Sequence, residues 1–250
     1  MIPKIIHQSW TNFVGEPDYM PPIFEHFSKL MQEYHPTWEY KLWNADEERE
    51  LIEKEYPWFL PAYDGYGTKH KPQIESGKMK KADAARIFYL HKYGGIYYDI
   101  DTECLKPHDS LLPQVEDFVI GQRGDDPNDP AAYPNSVMLA QKGSAFLEKM
   151  FDHLLERKDA KLTVDATGPT MITPAVRENP VKIFPWQYFY AIDWEPKNNR
   201  NFNSQARKDA QFRGIAPEHE ETKARFPDAY SVTYCTTTWM GEKQWLKESA

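Results

Sequence analysis

Cysteine is nearly absent from this 250-residue chain, which has only Cys104 and Cys235. Two cysteines cannot form a disulfide framework, and no Cys/His spacing suggests zinc, so both are expected to be small buried thiols. Long apolar runs are also absent, since none approaches the roughly eighteen residues of a membrane-spanning helix. The opening MIPKIIHQSW has no basic region followed by a long apolar stretch, so we do not expect it to be a secretory signal. We therefore expect a soluble, cytoplasmic protein.

An excess of positive charge is also missing, because the formal net charge is −8. This balance argues against nucleic acid as the main partner and against an anionic membrane surface. What the chain does have is a large apolar fraction, 40%, with 8 Trp, 15 Tyr and 13 Phe. Such a composition builds a sizeable core and is typical of a globular protein. Because no repeat or low-complexity linker interrupts it, residues 1–250 are expected to form a single domain.

The first part of the chain alternates between strand and helix patterns. Residues 3–7 predict a strand, and a helix with apolar residues at helical spacing is expected after Pro21 and Pro22. TWEYKLW (37–43) alternates like a strand, and residues 44–56 start with a helix-capping asparagine followed by acids. This order predicts an α/β sandwich.

Further elements follow with clear boundaries. Residues 64–78 are expected to form a loop before the most regular helix, at 79–93, which Gly94 ends. The remaining predictions are strands at 118–122 and 136–140, a helix from about 144 to 157, and a polar, mobile loop at 197–209.

The stretch YGGIYYDID (93–101) ends with two carboxylates, Asp99 and Asp101, on an otherwise apolar, aromatic strand. Because a strand repeats every two residues, both are expected to point to one face with Cα atoms about 6–7 Å apart. Paired like charges raise each other's pKa unless a cation neutralises them. Three interpretations remain open: an idle solvated pair, a phosphohydrolase with Asp99 as nucleophile, or a site for Mn²⁺ or Mg²⁺ bound to a diphosphate. The second requires threonine two positions after Asp101, where Glu103 stands.

Asp83 and Arg86 lie on the helix just before this stretch. They are three residues apart and therefore share one helix face. The pair is either a surface ion pair of small energetic weight or, if buried, a polar grip for sugar hydroxyls, which accept from guanidinium and donate to carboxylate.

The block KADAARIFYLHKYGGIYYDIDTE (81–103) resembles the signature of glycosyltransferase family 32. That family includes fungal initiating mannosyltransferases and enzymes that mannosylate inositol-phosphoceramide, and the glucosyltransferase domains of large clostridial toxins are more distantly similar. The resemblance extends over most of the chain, through residues 2–10, 40–66 and 166–173 and a tryptophan near the end.

This resemblance implies a GT-A fold, a Rossmann-like α/β sandwich with a mixed central sheet. It also implies metal-dependent, retaining transfer of a hexose from a nucleotide sugar to a glycan, lipid or other hydroxyl acceptor. The donor would be GDP-mannose or a UDP-hexose, with a slight preference for GDP-mannose because YPWFLPAYDGY (56–66) resembles the mannosyltransferase branch. A non-catalytic carbohydrate-binding module is the alternative outside the enzymes, and it leaves the spacing of the four charged residues unexplained.

The resemblance also assigns roles to individual residues. Asp83 and Arg86 would hold the donor sugar, Asp99 would contact ribose and metal, and Asp101 would be the direct metal ligand. The nucleoside would be bounded by Ile6, His7, Gln8 and Trp10, and the diphosphate would be covered by Thr237, Thr238 and Trp239. Many relatives have a histidine shortly before that tryptophan, but residues 230–239 contain none, so the third protein ligand stays open between a hydroxyl and water. Residues 230–245 are expected to be loosely held without ligand.

Overall fold

The described part of the chain contains eight short strands, which form one large and one small sheet. In the computed structural model, residues 2–10, 20–67, 74–194 and 200–236 are described. The strands are β1 (Ile5–Ser9), β2 (Glu39–Trp43), β3 (Gly95–Tyr98), β4 (Thr102–Cys104), β5 (Phe118–Gly121), β6 (Val137–Ala140), β7 (Lys182–Phe184) and β8 (Ser231–Thr233). The large sheet has the order β2-β1-β3-β6-β5-β7, and β4 and β8 form a separate antiparallel pair.

The sheet is mixed, as expected. β1 is parallel to both β2 and β3, whereas β6 runs antiparallel to β3 and β5, and β5 is parallel to β7. Because β1 and β3 are parallel neighbours, their carboxyl ends meet at the same edge of the sheet. The residues that follow these two strands therefore lie close together.

Helices pack on both faces of the large sheet. They are α1 (Pro22–Tyr34), α2 (Ala45–Glu55), α3 (Leu60–Gly65), α4 (Ile74–Tyr93), α5 (Ala145–Arg157), α6 (Thr163–Ala166), α7 (Pro169–Glu178), α8 (Ala191–Trp194), α9 (Arg200–Arg213) and α10 (His219–Arg225). Alternate residues of β3 enter opposite cores: Tyr97 packs with α2, α4 and α5, whereas Ile96 and Tyr98 pack on the side of α1. This alternation follows from the two-residue period of a strand.

Local sequence explains several helix ends. Asn44 caps α2 by accepting from the backbone of Asp46 and Glu47, and the Glu47 side chain accepts from the Asn44 backbone in return. Ser144 caps α5 through a single bond, in which its hydroxyl accepts from the Leu147 amide. Such caps satisfy amides that have no partner within the helix. No described helix is long and apolar enough to cross a membrane.

Two glycines fix the sharp connection from α4 to β3. Gly94 adopts a left-handed φ of 69°, and its amide donates to Leu90 O at 2.8 Å, which ends the helix. A Cβ on Gly95 would lie 2.4 Å from the carbonyl oxygen of Ile5 on the neighbouring strand. Only glycine permits this approach. The tight connection keeps the last turns of α4 beside the end of β3.

Several predicted boundaries were wrong. β1 begins at Ile5 and runs to Ser9 instead of covering 3–7, and α4 already begins at Ile74 inside the expected loop. β3 ends at Tyr98, so the two aspartates do not alternate along a strand.

Residues 99–102 instead form a turn, closed by the Thr102 amide donating to Asp99 O at 3.1 Å. The polar stretch expected to be a loop contains α9, whose buried Asn203, Ala206 and Ala210 recur at helical spacing but carry little apolar surface.

Candidate functional site

Arg86 is the centre of a buried polar cluster at the end of β3. Its guanidinium pairs with Asp83 Oδ1 at 2.7 Å and Asp99 Oδ1 at 2.9 Å, and it donates to Asn135 O at 3.0 Å. It also lies over the Tyr97 ring, 4.3 Å from the centroid. Both the arginine and Asp83 are nearly inaccessible, at 4% and 6% exposure. The Asp83–Arg86 pair is therefore buried, and it holds one aspartate of the DID stretch in place.

Asp99 is held on one oxygen only. Its Oδ1 accepts from Tyr97 Oη at 2.6 Å as well as from Arg86, whereas its Oδ2 accepts no hydrogen bond from the described residues. The backbone carbonyl of Asp99 accepts from Gln8 Nε2 at 3.3 Å, and Tyr40 Oη in turn donates to Gln8 Oε1 at 2.7 Å. Gln8 thus steadies the turn from the neighbouring strand.

Asp101 is held from the other end of the chain. Its Oδ2 accepts from the Thr236 amide at 2.6 Å and the Thr236 hydroxyl at 2.8 Å, and its Oδ1 accepts from the Thr233 hydroxyl at 3.3 Å. Burial raises the pKa of Asp101, and the negative charge of Asp99 adds to the rise, while the Thr236 bonds oppose it. This carboxylate therefore favours a nearby cation.

Glu103, on β4, links the small sheet to α10 and to the residue that follows β8. This carboxylate is 1% exposed, and it contacts His219 Nδ1 at 2.5 Å and accepts from Tyr234 Oη at 2.6 Å. His219 belongs to α10, and Tyr234 directly follows β8. The three side chains connect β4 to the elements that deliver Thr233 and Thr236.

The four charged residues predicted from the sequence meet in one cleft of about 330 Å³. Asp83, Arg86, Asp99 and Asp101 all contribute to its wall. The wall is completed by residues from other elements, among them Ser9, Trp10, Tyr97, Arg123, Asn135, Ser136, Tyr190, Arg207, Cys235 and Thr236. Cys235 thus differs from the expected buried thiol because it is only partly buried and faces this cleft, whereas Cys104 is fully buried.

β1 contributes to the cleft at its very end. Trp10 and Ser9 line the wall, but Ile6, His7 and Gln8 do not. His7 Nε2 donates to Gly94 O at 2.8 Å, and its Nδ1 accepts from Trp43 Nε1 at 3.1 Å. Burial lowers the His7 pKa to about 4, so the ring is neutral at pH 7. The histidine joins β1 to the end of α4, which does not support the nucleoside contact expected for it.

Asn135 and Thr167 belong to the cluster but were not singled out in the sequence. Thr167 Oγ1 donates to Asp83 Oδ2 at 3.1 Å, and Asn135 Nδ2 donates to Thr167 O at 3.2 Å. Burial raises the pKa of Asp83 to about 6, against the opposing effect of Arg86. Thr167 lies in ATGPTMIT, and Asn135 directly precedes the SVMLA strand. A polar residue at the end of a predicted strand or helix is the sequence signal that could have identified both.

Ser9 and Glu48 form a second missed pair. Ser9 Oγ, at the cleft wall, donates to Glu48 Oε1 at 2.6 Å. Glu48 on α2 is 1% exposed, and burial raises its pKa to about 7. The helical pattern around Glu48 gave no reason to expect a buried acid there.

The donor set around Asp99 and Asp101 fits a hard divalent cation. Among the described residues, no donor reaches Asp99 Oδ2, and Asp101 Oδ1 has only the long Thr233 contact. Mg²⁺ and Mn²⁺ prefer such oxygen ligands and usually take one or two carboxylates with phosphate oxygens and water.

A different group of potential ligands, His35, Cys104 and His108, lies within the core. His35 contacts Met31 O and the His108 amide, and His108 contacts Tyr98 Oη and Tyr230 O. Because these contacts use all four ring nitrogens, the group is a core hydrogen-bond network. Thr237, Thr238 and Trp239 lie outside the described residues, and their covering role stays a prediction.

Residues 24–117 match the family described as a glycosyltransferase sugar-binding region containing a DXD motif. The matched range contains Asp83, Arg86, Asp99 and Asp101. They therefore lie in the part of the chain that is similar to the sugar-binding region of DXD-containing glycosyltransferases. The resemblance to DXD-containing sugar transferases is therefore confirmed.

Fungal mannosyltransferases are similar to more than half of the chain. Inositol phosphoceramide mannosyltransferase 3 of Schizosaccharomyces pombe is 35% identical over 153 residues, which cover 61% of this chain and 37% of the relative. Inositol phosphoceramide mannosyltransferase 2 of the same yeast is 32% identical over 180 residues, covering 69% and 46%. The chain thus spans less than half the length of these curated relatives.

Among solved structures, the PaToxG glycosyltransferase is similar over almost the whole chain. The TM-score is 0.54 at 16% sequence identity, and the match covers 92% of this chain and 89% of the other. At this identity the likeness concerns the fold alone. Together with the mixed six-stranded sheet, it confirms the predicted GT-A fold.

Proposed function

We propose that the cleft binds a nucleotide sugar with Mn²⁺ or Mg²⁺ and transfers its hexose, with retention of configuration, to a hydroxyl group. The observation that carries this proposal is the convergence of Asp83, Arg86, Asp99 and Asp101 on one cleft at the carboxyl ends of β1 and β3. In open α/β sheets, ligands bind outside these strand ends.

Each residue has a distinct part in the proposed mechanism. Asp99 and Asp101 hold the cation, which when bound stabilises the negative charge on the departing diphosphate. Arg86 keeps Asp83 and Asp99 oriented through its two ion pairs. Asp83 lies at the cleft wall and accepts from hydroxyls of the donor sugar, while Trp10 bounds the nucleoside. Trp239, with Thr237 and Thr238, is proposed to cover the diphosphate.

For the donor we propose GDP-mannose ahead of a UDP-hexose, because the similar fungal proteins are named mannosyltransferases. The same names support a lipid or glycan hydroxyl as the acceptor. A phosphohydrolase fits the geometry less well. The position two residues after Asp101, where this chemistry requires threonine, is Glu103, which is buried against His219 and Tyr234.

The test combines ligand binding with turnover. Melting of the protein is followed with GDP, UDP and CMP in the presence of Mn²⁺ or a chelator, since a ligand that binds only the folded state raises its apparent stability. We expect the largest shift with GDP and Mn²⁺, and its loss with chelator. Sugar release or transfer is then measured with GDP-mannose and UDP-glucose.

Asp101→Asn should lower Mn²⁺-dependent transfer by roughly 10²–10³-fold, the range for losing one group that stabilises developing charge. Asp152→Asn, an exposed substitution on α5, is the control and should retain wild-type turnover. Transfer by Asp101→Asn at the wild-type rate would overturn the cation assignment, and chelator-insensitive sugar binding without turnover would favour a carbohydrate-binding module.

A further inference from the structure

Thr236 makes two short hydrogen bonds to a single carboxylate oxygen. Its amide and its hydroxyl lie 2.6 and 2.8 Å from Asp101 Oδ2. Thr236 is 2% exposed and Asp101 7%, so water competes little for this oxygen. Hydrogen bonds to an ionised acceptor are stronger than neutral ones. The orientation of the Asp101 carboxylate is therefore set mainly by Thr236.

The backbone before Thr236 is built for this contact. Cys235 has a φ of 49°, in the left-handed region that non-glycine residues rarely adopt. On either side of it, the Tyr234 amide donates to Asp101 O at 3.1 Å and the Thr236 amide donates to Asp101 Oδ2. The strained residue thus lets two amides two positions apart reach the same aspartate. Such strain persists when surrounding contacts hold it, and it is found preferentially at functional sites.

The other oxygen of the same carboxylate is held far less firmly. In the part of the chain that the structure describes, Asp101 Oδ1 accepts only from the Thr233 hydroxyl at 3.3 Å, beyond the usual 2.7–2.8 Å of an O–H···O bond. We propose that Thr236 is a positioning residue: by occupying Oδ2 it presents Oδ1 of Asp101 to the cation, so that this ligand binds through one oxygen. This inference rests on the cation site of the proposed function.

Removing the hydroxyl of Thr236 should then weaken cation binding, whereas removing that of Thr233 should not. Thr236→Val keeps the backbone bond and the side-chain shape but removes the hydroxyl, so the carboxylate can rotate. Thr233→Val removes only a weak contact that competes with the cation for Oδ1. Both side chains are equally buried, at 1% and 2% exposure, so simple loss of packing would affect both variants alike.

The experiment measures Mn²⁺ binding directly, without nucleotide or turnover, from the electron paramagnetic resonance signal of free aqueous Mn²⁺ during titration of the full chain. We expect Thr236→Val to weaken Mn²⁺ binding about tenfold, the effect of one hydrogen bond to a charged group. Thr236→Ser should stay within about threefold of the wild type because it restores the hydroxyl. Thr233→Val should bind Mn²⁺ at least as tightly as the wild type.

Equal affinity of Thr236→Val and the wild type would overturn the positioning role, and so would equal losses in the two valine variants. A wild-type chain that binds no Mn²⁺ would overturn the cation site itself, and the inference with it. The failure of the positioning role is thus distinguishable from the failure of the proposed function.

Discussion

Asp99 and Asp101 stand two residues apart, yet different regions of the molecule hold them. Asp99 is fixed by Arg86 and Tyr97, which belong to the helix and strand directly before it. Asp101 is fixed by Thr233 and Thr236, which lie 132 and 135 residues later in the chain. One half of the candidate site is therefore a local product of the α4–β3 connection, and the other depends on long-range pairing of β4 with β8.

The two regions also differ in charge. Asp99 is paired with a guanidinium, and its side chain remains 33% exposed. Asp101 is held in the described structure by hydroxyl and amide donors only, and its pKa is raised by burial. The difference identifies Asp101 as the carboxylate with the stronger need for a cation, because neutral donors compensate its charge less completely than Arg86 compensates that of Asp99.

The largest loss of stability is expected when the contacts of Arg86, in the half of the site around Asp99, are removed. Arg86→Ala removes the guanidinium that pairs with Asp83 and Asp99 in a buried site. This loss should lower the free energy of unfolding by about 3–5 kcal/mol. Urea denaturation measures the loss. The control is Arg49→Ala, because Arg49 pairs with Asp64 and Glu53 on the surface, where such pairs contribute little. Similar losses in both variants would show that the Arg86 cluster has no special structural weight.

A smaller change in stability, which depends on pH, is expected from Glu48, whose carboxylate accepts from Ser9 at the cleft wall. Its pKa is raised by burial from the usual value near 4.5 to about 7, so its protonated form favours the folded state. This contribution is fully present below about pH 4.5 and is lost as pH rises through 7, since the unfolded chain then ionises more readily.

Glu48→Gln, which stays neutral, should therefore gain stability relative to the wild type between pH 5 and pH 8, by up to roughly 3 kcal/mol. Denaturation curves at several pH values provide the measurement, with exposed Glu116→Gln as the control. A stability difference that does not change with pH would contradict a raised pKa at Glu48.

The smallest loss of stability is expected from a substitution near the small sheet, in the half of the site around Asp101. His219→Ala removes one of the two contacts of buried Glu103 and should cost about 2 kcal/mol, the penalty of a lost hydrogen bond to a charged group. Hydrogen exchange should speed up in β4 and β8 but not in β3 or α4. The half-buried His153→Ala on α5 is the comparison. Uniform exchange changes across both regions would mean that the two halves of the site are not independent.

The sequence predicted the local half of the site well. Three-residue spacing placed Asp83 and Arg86 on one helix face, and Gly94 predicted the end of that helix. The sequence did not predict the contacts between residues that are far apart in the chain. Nothing near Asp101 indicates that Thr236 would meet it, and the turn at 99–102 is stabilised by contacts to β8 that the strand pattern does not contain. Ser9 and Glu48 meet for the same reason, through packing of α2 on the sheet edge.

The pairing of β4 with β8 also bears on the order in which the two halves of the site are expected to form during synthesis. A chain made from its N-terminus forms α4 and β3 before residues 231–236 exist, so a nascent chain contains Asp101 without Thr233 and Thr236. Burying that carboxylate without partners would be costly, which should keep the turn at 99–101 open to water until β8 arrives. Closure of the small sheet then supplies the missing donors and shapes the cation ligand in a single late event. A nascent or truncated chain ending before β8 should therefore fold much of its large sheet while remaining unable to bind the cation.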